Sequence, residues 1–131
     1  MTTFIRRGSD LDRVPSTIVD GVSGFVDSPE YQALTEFEKR IPGVVCSAFA
    51  RYIVGAYRTR HEEERASAPA AAIASSHSVL EQLASSPETA VESLVTDEIF
   101  EFFERDAGIA LKVAADLRPR AKALYDRYLT R

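Results

Sequence analysis

The chain has 131 residues, of which 45% are hydrophobic and 27% are charged, and its formal net charge is −4. This length suits one compact domain with a single core, and the composition excludes wholesale disorder. We therefore expect one domain over residues 1–131, outside any membrane, because no apolar run approaches the roughly 20 residues of a membrane-spanning helix.

The N-terminal part of the chain shows weak helix signals. Residues 1–14 have no sustained hydrophobic period, so we expect them to be loosely ordered. From Pro15 onward, apolar residues at helical spacing predict a short helix, which Gly21 and Gly24 weaken.

A second helix is predicted to start at Pro29, because Ser28 is a cap residue and proline suits the first helical turn. Its apolar positions continue to Pro42-Gly43, which should stop it. A third helix follows, and its mixed-charge tail over residues 58–65 is expected to be solvated. The apolar stripe of the third helix consists of Val45, Phe49, Tyr52, Ile53 and Ala56.

Three further helical segments are predicted in the C-terminal half. The fourth helix begins near Pro69, and the fifth follows a cap at Ser85-Ser86. The last helix begins near Ile109 and is interrupted at Pro119. Because no segment alternates with period two between turn signals, we predict an all-α fold. The apolar positions of the fifth helix are Val91, Leu94, Val95, Ile99, Phe102 and Phe103.

The runs Val79–Leu83 and Ile99–Phe103 share an apolar-apolar-Glu-x-apolar pattern. Two successive antiparallel helices would produce this repeat, as in one unit of an α-solenoid. Two units are too few for an array, which needs about three. We therefore predict a single-domain bundle of about six helices with antiparallel, solenoid-like helical-hairpin packing.

Charge is distributed unevenly along the chain. Residues 69–106 contain eight acidic residues and one basic residue, a net −7, whereas residues 107–131 contain six basic and two acidic residues, a net +4. Several like charges on one rigid surface steer and select an oppositely charged partner. This pattern indicates a recognition surface on the fifth helix. Its candidate partner-binding residues are Glu88, Glu92, Asp97, Glu98, Phe100, Glu101 and Glu104.

Two members of this set differ from an ordinary solvated helix face. Glu98 falls in the apolar stripe, where a buried carboxylate must be paired or neutralised. It is either a structural residue, in an ion pair or at the edge of the stripe, or a functional one that places a charge on a groove floor for a basic partner. Phe100 lies off the stripe, as does Tyr57, so both are candidate surface anchors of the kind found at interface hot spots. The remaining large aromatic residues, including Phe37, are expected in the core.

Residues suited to catalysis or metal binding are sparse, since the chain has two histidines and one cysteine. His61 has no second histidine four residues on. His77 is either a core histidine with one hydrogen-bond partner or a residue at a groove edge. We expect no catalytic site, metal or cofactor. Because Cys46 cannot form an internal disulfide and the N-terminus lacks a signal-peptide core, a reducing cytoplasm is the expected compartment.

A set of helical motifs runs from Pro42 to Tyr128. It consists of Phe49-Ala50-Arg51-Tyr52-Ile53, Tyr57-Arg58, Val79–Leu83, Val91, Leu94 and Ile99–Phe103. These motifs resemble a family of small helical bacterial proteins, in which a Phe-x-x-Tyr helix precedes two helices that end in apolar-apolar-Glu-x-Leu, and a final amphipathic helix. Members of this family are similar to immunity proteins encoded beside polymorphic toxins, including those of contact-dependent growth inhibition. The chain departs from the pattern at Phe102-Phe103 and in its Ala/Ser-rich residues 67–76.

This resemblance implies a non-catalytic protein that binds a cognate toxin domain in the cytoplasm of the producing cell. Many such toxins are nucleases with basic clefts, to which the acidic fifth helix is complementary. Two alternatives remain, a helical adaptor or regulator with a cellular partner and a nucleic-acid-binding regulator that uses the basic C-terminal helix. Overall acidity argues against nucleic acid as the partner. The sequence leaves the oligomeric state open.

Overall fold

The computed structural model describes residues 9–62 and 67–131. In these two ranges all regular structure is helical and no strand is present, which confirms the predicted all-α bundle. The solenoid-like pairing of antiparallel hairpins stays a prediction. No helix in the described part is both long and apolar enough to cross a membrane. The helices are α1 (Asp10–Gly21), α2 (Pro29–Gln32), α3 (Pro42–Glu62), α4 (Ser67–Ala84), α5 (Thr89–Leu94, continued by Val95–Phe100 and Glu101–Phe103), α6 (Ala107–Asp116) and α7 (Pro119–Thr130).

Helix α1 begins earlier than predicted. The Ser9 hydroxyl accepts the Asp12 N–H and the Asp12 carboxylate accepts the Ser9 N–H, each over 3.3 Å. This reciprocal capping box starts the helix ahead of Pro15. The predicted start at Pro15 is therefore wrong, and so is the loose order expected for residues 10–14. Residues 1–8 lie outside the described ranges.

The chain turns between α1 and α2 at Gly24, whose φ is +79°. A Cβ atom at this position would lie 2.7 Å from the Tyr52 hydroxyl oxygen. That hydroxyl is fixed, since it donates to the Ser23 carbonyl over 2.6 Å. Glycine is thus required both by the left-handed backbone and by the close approach of α3.

Helix α2 starts at the predicted proline but ends after one turn, so the prediction that it continues to Pro42 is wrong. The Thr35 N–H donates to the Glu38 carboxylate over 2.8 Å, and the Glu38 N–H donates to the Thr35 hydroxyl over 3.1 Å. This second capping box begins a separate 3₁₀ turn, Glu38–Arg40. Pro42 then opens α3 instead of closing the helix before it.

Helix α3 is the centre of the bundle and contacts α1, α2, α4, α5 and α6. A helix with this many neighbours is buried on several faces, not along one stripe. Its predicted charged tail extends into residues 63–65, which lie outside the described ranges. The buried residues of α3 are Val45, Cys46, Ala48, Phe49, Ala50, Ile53, Val54 and Tyr57.

Helix α5 changes its winding in the middle. The segment Val95–Phe100 is π-helical, and the Glu101 N–H donates to the Thr96 carbonyl five residues back. The wider turn alters which side chains face the core. Phe100 is fully buried, whereas Glu98 is only half-buried. An apolar stripe drawn with the 3.6-residue period of an α-helix therefore loses its register in this segment.

Helix α4 spans Ser67–Ala84, where Ser67 is the first residue described after residues 63–66, and it includes Pro69, near which the fourth helix was predicted to begin. Helix α5 begins at Thr89, however, so the predicted start at a Ser85-Ser86 cap is wrong. The Ser86 hydroxyl donates to the Asp10 carboxylate over 2.6 Å instead, which ties the α4–α5 connection to the start of α1.

Helices α6 and α7 correspond to the last predicted helix, interrupted at Pro119 as expected. Asp106 caps α6, because its carboxylate accepts a first-turn N–H over 3.2 Å. Helix α7 has no side-chain cap of its own. The Glu81 carboxylate of α4 serves instead, since it accepts the N–H groups of Arg120 and Ala121 over 3.1 and 2.9 Å. This contact fixes the N-terminus of α7 on α4.

Candidate binding surface

The predicted partner-binding residues do not form one exposed face. Glu88 lies just ahead of α5 and is half-buried against α1. Its two carboxylate oxygens accept the N–H groups of Asp10 and Leu11 over 2.7 and 3.2 Å. The first N–H groups of a helix have no partner within the helix, so Glu88 satisfies two of them. Both of its oxygens are thus engaged inside the molecule.

The predicted surface anchors are wrong. Phe100 is 0% exposed and Tyr57 is 1% exposed. The Phe100 ring packs edge-to-face on Tyr125, with the ring centroids 5.0 Å apart. The exposed aromatic side chain is Phe37, at 68%, which the sequence analysis assigned to the core. The capping pattern that begins at Thr35 could have revealed this exposure. It ends the predicted second helix before Phe37, and that helix was expected to bury the Phe37 ring.

Three of the predicted acids contact the basic helix α7. The contacts are Glu92 to Arg127 at 3.8 Å, Asp97 to Arg131 at 3.1 Å, and Glu104 to the Tyr125 hydroxyl at 2.7 Å. The two segments that carry opposite charge in the sequence therefore lie side by side in the fold. This pairing weakens the negative field of α5 and leaves fewer α7 cations available for phosphates.

Glu98 and Glu101 are the predicted acids whose side chains make no hydrogen bond or ion pair within residues 9–62 and 67–131. Glu101 is exposed. Burial, followed by the charge of Glu101, raises the pKa of Tyr128, which places this acid near α7. Glu98 acts on the opposite side of α5, since burial and then the Glu98 charge raise the pKa of Cys46 to about 12.

Glu98 lines an open cleft of about 510 Å³ between α5 and residues 34–51. Arg51 shares the cleft, but its guanidinium donates to the Ser47 hydroxyl over 3.0 Å and makes no ion pair with Glu98. Phe37 directly precedes Glu38, one of the lining residues, in the chain. The cleft is lined by Leu34, Glu38, Ile41, Gly43, Val44, Ser47, Arg51 and Glu98.

This cleft combines the Glu98 carboxylate with apolar side chains and two further charged residues, Glu38 and Arg51. A half-buried carboxylate is less well hydrated than one on an open surface, so a cation that enters the cleft interacts with it more strongly. Glu98 makes no ion pair among the described residues, so the structural ion pair is not observed, whereas a stripe-edge position and a groove-floor charge both fit its half-buried place. The cleft suits recognition of a basic side chain that an adjacent apolar contact holds in place.

His77 is the core histidine with one hydrogen-bond partner that the sequence allowed, as it is 4% exposed and its Nε2 lies 2.6 Å from the Tyr57 hydroxyl. The side chain of His61 lies outside the described residues. Within the part of the chain that the structure describes, no three His, Cys, Asp or Glu residues are grouped so that they could hold a metal ion.

No protein-family model, curated protein or solved structure matches the chain. The resemblance to immunity proteins therefore stays a prediction.

Proposed function

We propose that the protein is a non-catalytic immunity protein that binds and neutralises a cognate toxin domain in the cytoplasm of the producing cell. The observation that carries this proposal is Glu98, a half-buried carboxylate without a hydrogen bond or ion pair among the described residues, in an open cleft lined by both apolar and polar side chains. The motif resemblance supplies the class of partner.

The surroundings of Glu98 support a protein partner with a basic surface. Phe37, which adjoins the cleft residue Glu38 in the chain, offers an exposed aromatic ring, and aromatic residues dominate the binding energy of many interfaces. Glu101, on the opposite side of the same helix, is a second acid without a hydrogen bond or ion pair among the described residues. A nuclease toxin, whose substrate cleft is basic, provides a cation that complements the Glu98 carboxylate.

The buried state of the reactive side chains supports binding over catalysis. The Cys46 thiol is 0% exposed, and burial raises its pKa to about 12, so it is protonated and a poor nucleophile at neutral pH. Ser76 and His77 are also buried. A substrate cannot reach these groups in the folded protein.

The first experiment identifies the partner by affinity pull-down of the tagged protein from its native cells, with washes at low and moderate salt. We expect one stoichiometric protein, the C-terminal domain of a very large secreted protein, whose expression alone inhibits growth and whose coexpression with this chain restores it. Recovery of nucleic acid or a housekeeping complex, without growth rescue, would contradict the immunity proposal and favour the regulator or adaptor alternatives.

The second experiment locates the contact by calorimetric titration of the purified toxin domain. Phe37→Ala and Glu98→Gln should each weaken binding by about 10-fold or more, as expected for hot-spot residues. Leu111→Ala is the matched control, because Leu111 is an equally exposed apolar residue on α6, outside the cleft. Unchanged affinity for the two cleft variants would reject this cleft as the binding site.

A further inference from the structure

A buried polar cluster joins α3, α4 and the C-terminal end of α6. Its centre is the Tyr57 hydroxyl, which lies 2.6 Å from His77 Nε2 and 2.7 Å from Asp116 Oδ2. Tyr57 and His77 are 1% and 4% exposed, whereas the Asp116 side chain is 41% exposed. The cluster therefore extends from the core to the surface.

The proton positions in this cluster follow from the donors available. A phenol carries one proton, and an ionised carboxylate only accepts hydrogen bonds, so Tyr57 donates to Asp116. The Tyr57 oxygen must then accept from His77, which requires the imidazole to carry its proton on Nε2. His77 Nδ1 is left as a bare acceptor, and this buried atom has no hydrogen-bond partner among the described residues.

The charged groups that face His77 come from three parts of the fold. Asp116 lies at the end of α6, Arg60 belongs to α3, and Arg118 precedes α7. Arg60 lies 3.8 Å from Asp116 and partly neutralises it. Burial is the largest cause that lowers the pKa of His77. Asp116 opposes it, and the two arginines add to it.

We propose that His77 is an acid-sensitive latch, whose protonation on Nδ1 destabilises the packing of α4 against α3. Protonation creates a buried N–H that has no acceptor and a buried positive charge that two arginines oppose and that Asp116, itself paired with Arg60, only partly offsets. An unsatisfied buried donor and an unpaired buried charge are both unfavourable. Separation of α4 from its neighbours exposes the imidazolium to water and removes both costs.

The direction of the pH effect follows from proton linkage. Because the pKa of His77 is lower in the folded state than its ordinary value of 6.5, both states are neutral above about pH 7.5. As the pH falls through 6.5, the unfolded chain takes up the proton first, and stability is lost until the folded pKa is reached. Each unit of difference between the two pKa values raises the unfolding equilibrium constant by about tenfold.

The test compares urea denaturation of the full chain at pH 7.5 and pH 5.0. Between pH 7.5 and pH 5.0 the unfolding constant should rise in both proteins. The factor for the wild type should be at least about three times the factor for His77→Gln. This variant keeps an amide N–H for Tyr57 but cannot titrate. His61→Gln is the matched control and should retain the wild-type response. An equal response in wild type and His77→Gln would overturn the proposal.

A second measurement keeps the proposal testable if His77→Gln does not fold. In the His61→Gln variant, His77 is the one imidazole in the chain, so its ¹⁵N resonances report its tautomer and its titration directly. We expect the Nε2–H tautomer and a midpoint below that of free histidine. A proton on Nδ1, or a midpoint at or above 6.5, would contradict the latch.

Discussion

At the scale of single residues, burial separates two phenylalanines that composition cannot distinguish. Phe100 is fully buried and packs against Phe103, Tyr125 and Tyr128. Phe37 is 68% exposed in the turn before α3. The first residue therefore contributes to stability, and the second is available to a partner.

We expect Phe100→Ala to lower the free energy of unfolding by about 3–5 kcal/mol, because it removes a fully buried ring and leaves a cavity. Phe37→Ala should change it by less than about 0.5 kcal/mol, as is usual at exposed positions. Urea denaturation followed by circular dichroism measures both. If Phe37→Ala destabilised the protein more than Phe100→Ala, the burial of Phe100 in the π-helical segment of α5 would be contradicted.

At the scale of elements, local signals were predictable from the sequence, and contacts between distant residues were not. The start of α2 at Pro29 and the break at Pro119 follow from backbone preferences of the residues themselves. The π-helical segment of α5 is different, because the 3.6-residue period assumed for the stripe does not hold there. Phe100, expected off the stripe, is therefore buried together with the stripe residues Val95, Ile99 and Phe103.

Helix caps supplied by residues far away in the chain are a second feature of the fold that the sequence could not reveal. Glu88 caps α1 and Glu81 caps α7, although each lies far from its target in sequence. Glu81 and Glu101 occupy the same place in the repeated apolar-apolar-Glu motif, yet Glu101 is exposed and makes no hydrogen bond or ion pair in the described ranges. The motif alone therefore assigns no role to its glutamate.

We expect Glu81→Ala to destabilise the protein by about 1–2 kcal/mol, because it leaves two backbone N–H groups of α7 without their charged acceptor. Glu101→Ala, the equivalent change in the second motif, should have an effect below about 0.5 kcal/mol. Chemical denaturation gives the two energies. Faster hydrogen exchange at the Arg120 and Ala121 amides in Glu81→Ala alone would assign the loss to α7, and equal exchange in both variants would reject the cap.

At the scale of the whole molecule, the fold cancels much of the charge separation present in the sequence. Two acids of α5 pair with the basic C-terminal segment, Glu92 with Arg127 of α7 and Asp97 with Arg131, which directly follows α7. Such exposed pairs contribute only about 0–1 kcal/mol each, so their main effect is on the surface potential. Among the acids of α5, Glu98 and Glu101 keep carboxylates without a hydrogen bond or ion pair in the described ranges, so the negative potential of this helix is concentrated at these two positions.

The pH dependence of stability is also a property of the whole molecule, since titrating groups act in separate ranges. His77 acts below about pH 6.5. At lower pH, Asp10 and Asp106 contribute, because hydrogen bonds from Ser86 and from the Ile109 N–H, respectively, lower the pKa of these carboxyls. Their contribution is present above the unfolded pKa and is lost as the pH falls through the folded one. Stability should thus be greatest near pH 7.5 to 8.

The alkaline limit should be set first by Cys46. Burial and then the charge of Glu98 raise the pKa of this thiol from 9.0 to about 12, so above pH 9 the unfolded chain loses a proton that the folded chain keeps. Stability therefore falls as the pH rises, and by pH 10 this group alone should increase the unfolding constant roughly tenfold.

In Cys46→Ala that increase should be absent. The packing lost with the thiol lowers the stability of this variant by the same amount at every pH, and the tyrosines contribute equally to the pH dependence of both proteins. Urea denaturation under reducing conditions at pH 8 and pH 10 provides the comparison. Parallel pH dependences in the two proteins would show that the thiol ionises in the folded state as readily as in the unfolded one, which would contradict its burial beside Glu98.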